Sequence, residues 1–313
     1  MAAANSEVTS GVDTYVLYGV QTSYTTSVTP NKIFGGLVTS VSLETDRQYN
    51  ERAGFVGTND YDGRTTAKNL AGTVITSGTV EFDVQRWDWL EHVLLKDRTG
   101  SGTSGTPYIY TVGKTPKFLT ITEEISNAGT DSQRTFTGMV INSASIRCSV
   151  GEPVTASVSL LGGQVSKNTS ITSKIAQHED DVYNFSGGSI NMGGALDNII
   201  DDVNIEINNN YNVIYGFSEE SKNAKPGKLN LTFRFTTKYL DDTVISQFLG
   251  GDTVGDQTPV DIILKFDKAD DKYVEFTLKD AVIRRMGNNH NLNEFVVEET
   301  DVIAKRIEVK EVI

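Results

Sequence analysis

The chain has 313 residues, of which 38% are hydrophobic and 22% charged, with a single cysteine and a net charge of −13. That length and composition fit one large or two ordinary folded domains and exclude collagen-like, coiled-coil and disulfide-scaffold classes. So acidic a chain does not grip nucleic acid through a basic footprint, although DNA sliding past it is compatible with the charge. No window approaches the ~18 consecutive apolar residues of a membrane span. The N-terminal MAAANSEVTSGVDTY carries neither a basic nor an apolar leader region, so the expected site of synthesis is a cytoplasm.

In chain order, period-two alternation predicts strands at Leu37–Glu44 and Gly78–Val84. Helical spacing follows at Trp87, Leu90, Val93 and Leu94, and alternation resumes at Ser145–Val150, where Cys148 reads as a small half-buried strand residue, and at Val154–Leu160. Further strands are predicted at Val203–Ile207 and Lys228–Phe235. A second helix is carried by Tyr239, Leu240, Val244 and Phe248, with Thr236 or Thr237 as its cap and Gly250 at its end, and a last strand lies at Val274–Leu278.

One helix placed after a strand in each half points to duplication. Val41-Ser-Leu-Glu aligns with Val203-Asn-Ile-Glu, and Gly78-Thr-Val-Glu-Phe-Asp-Val with Gly227-Lys-Leu-Asn-Leu-Thr-Phe. Phe118-Leu-Thr-Ile then faces Val260-Asp-Ile-Ile, and Arg134-Thr-Phe-Thr faces Val274-Glu-Phe-Thr. The expected division is an N-terminal arm over 1–29, a first β domain over 30–165, a polar linker over 166–180 and a second β domain over 181–313. The halves differ at one place: the first carries a long segment, Gly57–Gly72, where the second has a shorter one ending Ala224-Lys-Pro-Gly. Long ordered loops on a β scaffold often carry function.

Catalytic chemistry is not legible. His92, His178 and His290 are far apart and form no ligand motif, and surface or cap positions are expected for them. Gly113-Lys114-Thr115 lacks the upstream glycine and the helix of a phosphate-binding loop. The acidic pairs Asp180-Asp181, Asp201-Asp202, Asp241-Asp242 and Asp270-Asp271 miss the calcium-loop spacing and read as solvated turns. No nucleophile elbow or cofactor fingerprint is present, so neither an enzyme nor a cofactor is expected.

Four segments together resemble the tail tube proteins of tailed bacterial and archaeal viruses: Gly19-Val-Gln-Thr-Ser-Tyr-Thr-Thr, Phe34-Gly-Gly-Leu-Val-Thr-Ser-Val, Gly78-Thr-Val-Glu-Phe with Trp87-Asp-Trp-Leu, and Val150-Gly-Glu-Pro-Val-Thr-Ala-Ser-Val-Ser-Leu-Leu-Gly. The likeness covers residues 15 to 165 well and is weaker beyond. It implies a mainly β chain of two tandem β-sandwich or split-barrel domains, each flanked by one helix. It also implies stacked trimeric, pseudo-hexameric rings forming a hollow tube in the virion tail, assembled in the host cytoplasm. The implied partners are other copies of the chain, the tape measure, terminator and baseplate proteins, and viral DNA passing without specific binding; no membrane is involved. On this reading Glu44, Asp46, Glu81, Asp83 and Glu206, on the polar faces of barrel strands, are candidates to face the lumen. In the family the long loop reaches the neighbouring ring, which makes Tyr61, Arg64, Lys68 and Leu70 of Gly57–Gly72 the candidate stacking contacts. The competing expectations are a duplicated β-sandwich adhesin or carbohydrate-binding module, with Trp87, Trp89 and Tyr108 as sugar platforms, and a terminator or baseplate ring protein of the same fold.

Overall fold

The computed structural model describes residues 14–52, 68–125, 132–168, 180–192, 200–216, 220–238, 243–251, 253–268, 271–289 and 296–313. About two thirds of them lie in strands. The first half contains β1 (Thr14–Gln21), β2 (Gly36–Arg52), β3 (Lys68–Val84), the short helix α1 (Leu90–Val93), β4 (Tyr108–Thr111), β5 (Phe118–Ile125), β6 (Ser132–Ser149), β7 (Thr155–Leu161) and β8 (Gln164–Asn168). The second contains β9 (Asn184–Met192), β10 (Ile200–Asn208), the hairpin β11 (Asn212–Tyr215) and β12 (Ser221–Lys225), β13 (Asn230–Lys238), α2 (Thr243–Leu249), β14 (Val260–Asp267), β15 (Tyr273–Asn289), β16 (Val297–Ala304) and β17 (Arg306–Val312).

Alternation explains the layering. Val80, Phe82, Ile146, Val158, Ile205 and Phe233 put one face of their strands into the core, and the intervening Ser, Thr, Asn, Glu and Arg residues form the other face. The strands β2, β3, β7 and β6 of the first half and β10, β13, β16 and the 282–289 part of β15 make one antiparallel sheet, in that order. The halves meet edge to edge at β6 and β10, with Ser143 opposite Asn208 and Ser149 opposite Asp202. Behind this shared sheet lie two smaller ones: β1, β5 and β8 around the first part of β6, and β9, β14, β17 and β4 around the first part of β15.

The long strands β6 and β15 thus pass from one layer to the other, and each turns at a residue of positive φ, Gly138 (82°) and Asp280 (53°). At Gly138 a Cβ would lie 2.6 Å from the Tyr24 carbonyl oxygen, so only glycine fits. Asp280 tolerates the left-handed region as short polar residues do, and Arg306 donates to its carboxylate at 2.8 Å.

The halves share one core. Trp87 meets Phe276 edge to face at 5.1 Å, and β4 of the first half pairs with β17 of the second. There the Tyr110 hydroxyl donates to the buried Glu311 carboxylate at 2.5 Å. Desolvation raises the pKa of Glu311, while the Tyr110 bond and Arg98, 3.4 Å away, oppose that shift.

Several expectations change. The linker's first residues, 166–168, belong to β8, and 169–179 lie outside the described residues. Thr236 and Thr237 are strand residues of β13, and α2 begins only at Thr243, whereas Gly250 does end α2: its amide and that of Gly251 both donate to the Ser246 carbonyl. Cys148 is a fully core-facing residue, 3% exposed. His92 is not on the surface: it is 3% exposed, 5.6 Å edge to face from Tyr18, and burial pushes its pKa down to about 3. His178 and His290 lie outside the described residues.

Candidate functional site

Every neighbouring pair in the shared sheet is antiparallel and closely registered, so polar residues of different strands form rows across one face. In one row Glu81, Ser157, Ser145, Glu206 and Thr232 stand side by side. With strands about 4.8 Å apart, the two glutamates are roughly 14 Å from each other. Glu44 and Asp46 on β2 and Asp83 on β3 share this face. All five acids singled out in the sequence are therefore brought together on one surface. Glu44, Asp46, Glu81 and Glu206 are exposed and Asp83 is half-buried, and none of the five makes an ion pair among the described residues.

A second row was not singled out from the sequence: Arg147, Asn204, Arg234, Asp301 and Arg285. The Arg234 guanidinium donates to Asp301 at 2.6 Å, and Arg284 lies 3.6 Å from the same carboxylate. The bond from Arg234 holds the Asp301 carboxyl below its usual range. Ser149 donates to Asp202 at 2.8 Å beside this row. The face is therefore acidic at the β2–β3 end, whereas the row around Asp301 sets three arginines against one carboxylate. Arg234 was legible in principle, since it occupies a polar position of the Lys228–Phe235 alternation.

At the end of this surface β2 and β3 run on past β7 as a two-stranded ribbon. Ladder pairs continue from Asp46 with Ile75 to Arg52 with Lys68, whereas β7 stops opposite Ser77. The ribbon's length past β7 is roughly 20 to 25 Å. Lys68 and Leu70 are strand residues of this ribbon rather than loop residues as expected, and Tyr61 and Arg64 lie outside the described residues. Tyr49 on the ribbon is 58% exposed.

No group of three His, Cys, Asp or Glu side chains is placed to hold a metal among the described residues. Trp87 and Trp89 are fully buried, stacked 5.9 Å apart, and present no platform to a sugar.

Residues 11–294 match the family model described as phage tail tube protein, and this span covers most of the chain. The chain belongs to the phage tail tube protein family. Among curated proteins none matches it. A tail tube protein is a structural component of the virion tail that self-assembles into a tube together with other tail proteins. The mainly β architecture expected from the sequence is the one observed.

Proposed function

We propose that three copies of this chain close into a ring whose inner wall is the shared sheet, and that rings stack into the tube through which viral DNA passes. The observation that carries this reading is the sheet itself. It has four strands from each half joined edge to edge, one face in the core and the other polar and uncovered among the described residues. Each half acts as one of six pseudo-equivalent units, as a duplicated subunit would, and the repeated strand order of the halves supports that origin. Three sheets of eight strands give a closed barrel roughly 40 to 50 Å across at the backbone, leaving room for a hydrated duplex. Closure also removes the sheet edges, which are aggregation hazards in an isolated subunit.

Glu44, Asp46, Glu81, Asp83 and Glu206 then face the lumen. Fixed carboxylates there repel phosphates, so DNA passes without the counterion-releasing adhesion that a lysine-lined bore produces. The β2–β3 ribbon, together with the Gly57–Gly72 segment, is the contact to the next ring. Tape measure, terminator and baseplate proteins are the expected partners at the tube's interior and ends. Electron microscopy of the purified chain over a concentration series, with mass photometry of the smallest particles, tests the reading. Hollow rings of three chains that stack are expected. Six-chain rings refute the trimeric unit, single rings that never stack favour a terminator, and persistent monomers refute ring formation.

A further inference from the structure

Among the described residues, the shared sheet ends in two strands that pair on one side only, β2 at one end and the 282–289 part of β15 at the other. The geometry points to these two edges pairing with each other between copies of the chain, in the register already built into the β6–β10 joint. This rests on the ring reading above and adds to it the partner strand and the residue-by-residue alignment.

Direction comes first. All seven steps from β2 to β15 are antiparallel. With an even number of strands the two edge strands run oppositely, so a copy related by rotation presents its β2 antiparallel to β15, as β10 is presented to β6.

Register comes from irregularities that recur in both halves. The bulge in β6 between Ile141 and Ser143 is repeated in β15 between Ile283 and Arg285, against partners Leu160 and Ser159 in one case and Val302 and Asp301 in the other. The bulge in β2 between Val38 and Ser40 is repeated in β10 between Ile200 and Asp202. Ser143 of β6 thus corresponds to Arg285 of β15, and Asn208 of β10 to Asp46 of β2. Inside the chain Ser143 faces Asn208, Ser145 faces Glu206 and Arg147 faces Asn204. Between chains the same joint sets Arg285 against Asp46, Gly287 against Glu44 and Asn289 against Ser42.

The chemistry of the pairs agrees with this placement. Asp46 and Arg285 are both exposed, on the polar face, and neither makes an ion pair among the described residues. The neutral Ser143–Asn208 pair of the internal joint becomes an opposed-charge pair at the external one, a cross-strand combination that stabilises and selects register. Met286, half-buried against the core, falls opposite Thr45 on the core-facing side. Glu44 falls opposite Gly287, as Glu206 does opposite Ser145, so each glutamate has a small neighbour that leaves it room.

Two experiments on the full chain test the register. In a Cys148→Ala background, Glu44→Cys combined with Gly287→Cys gives covalent dimers and trimers on mild oxidation. A Cβ at Gly287 meets nothing within 4 Å, so the substitution is tolerated. Asp46→Cys with Gly287→Cys, slipped by two residues, gives less than about a tenth of that yield, because a disulfide demands close Cβ atoms. In the second experiment Asp46→Arg raises the concentration for half-assembly about tenfold, and adding Arg285→Asp restores it. Equal or better crosslinking of the slipped pair, or a charge-swapped double variant no better than the single one, overturns the register. Rings that form without crosslinks defeat the register alone, whereas the absence of rings in the parent chain defeats the ring reading with it.

Discussion

The two halves solve the same connection in opposite ways. In the first, β2 and β3 continue beyond the sheet as a ribbon whose exposed residues run unbroken from Glu44 to Tyr49. In the second, the chain between β10 and β13 folds back as the β11–β12 hairpin and is tied down. The Tyr24 hydroxyl donates to Ser221 at 2.6 Å, the Tyr211 amide donates to the Asn142 side chain at 2.8 Å, and Ala224 is fully buried. An isolated two-stranded ribbon is marginal in water; the tucked hairpin draws its order from its own chain, and on the proposed reading the projecting ribbon draws part of its order from the next ring. One scaffold thus yields a self-contained unit and an outward-reaching one.

The largest expected effect breaks that contrast outright. Deleting residues 60–68, from the segment between β2 and β3, should abolish tube elongation while leaving soluble rings or protomers. Electron microscopy checks this, and tubes of normal length would refute the ribbon's role. The second contrast lies in the helices. α1 holds His92, buried and with neither ring nitrogen bonded among the described residues, whereas α2 (TVISQFL) has no titratable group. With its pKa lowered in the fold to about 3, His92 is neutral when native but takes up a proton when unfolded below about 6.5. Stability is therefore complete above that pH and falls as the pH drops through the window, by up to about 1.4 kcal/mol per unit. His92→Phe should flatten the dependence of melting temperature on pH between roughly 6.5 and 3, and an unchanged slope would place the acid sensitivity elsewhere.

How the halves correspond was legible only in part, for a reason particular to β structure. Val41 and Val203 hold matching places in the strand order of the halves, since they face Val80 and Phe235, which in turn face Val158 and Thr300. Gly78, however, corresponds to Phe233 rather than Gly227, and Phe136 to Leu278 rather than Phe276. Both slips are even, and an even slip keeps every side chain on its proper face, so alternation alone cannot reject it. The Phe118–Val260 match is off by one, and it falls where β5 and β14 both carry a bulge. The full lengths of β2 and β3 were hidden because Glu44–Arg52 is polar at nearly every position and carries no period. His92 was expected at a surface or cap position because a four-residue helix gives too little pattern to show which face is buried.

The tucked hairpin is anchored by a side chain that can be removed without touching the ribbon. Asn209, 3% exposed, donates to the Val93 carbonyl at 2.9 Å and the Ile141 carbonyl at 3.1 Å, joining the second half's connection to α1 and β6. Asn209→Ala orphans two buried acceptors and should cost about 2 to 3 kcal/mol in denaturant unfolding. Ring formation at low temperature should persist, because the shared sheet is untouched. A loss below about 0.5 kcal/mol would mean the hairpin is held by its apolar contacts alone.

The smallest effect concerns one matched site in the polar face. Arg234 and Asp301 of β13 and β16 occupy the places held by Thr79 and Ser159 in β3 and β7, so the second half has a charged pair where the first has two hydroxyls. Arg234→Met leaves Asp301, with its side chain 9% exposed, to Arg284 alone at 3.6 Å, at an expected cost of about 1 kcal/mol at pH 7. Because Arg234 lowers the Asp301 pKa, that cost is present above the ordinary carboxylate pKa near 4 and vanishes as the pH falls through the depressed value. The double replacement Arg234→Thr with Asp301→Ser copies the first half and should be nearly neutral, since it removes the desolvation of both charges together with their attraction. Equal losses from the single and double variants would show that the pair contributes net stability. Near-neutrality of the double variant points instead to a role for the charges on the face itself, where Asp301 offsets the arginines that would otherwise hold passing phosphates.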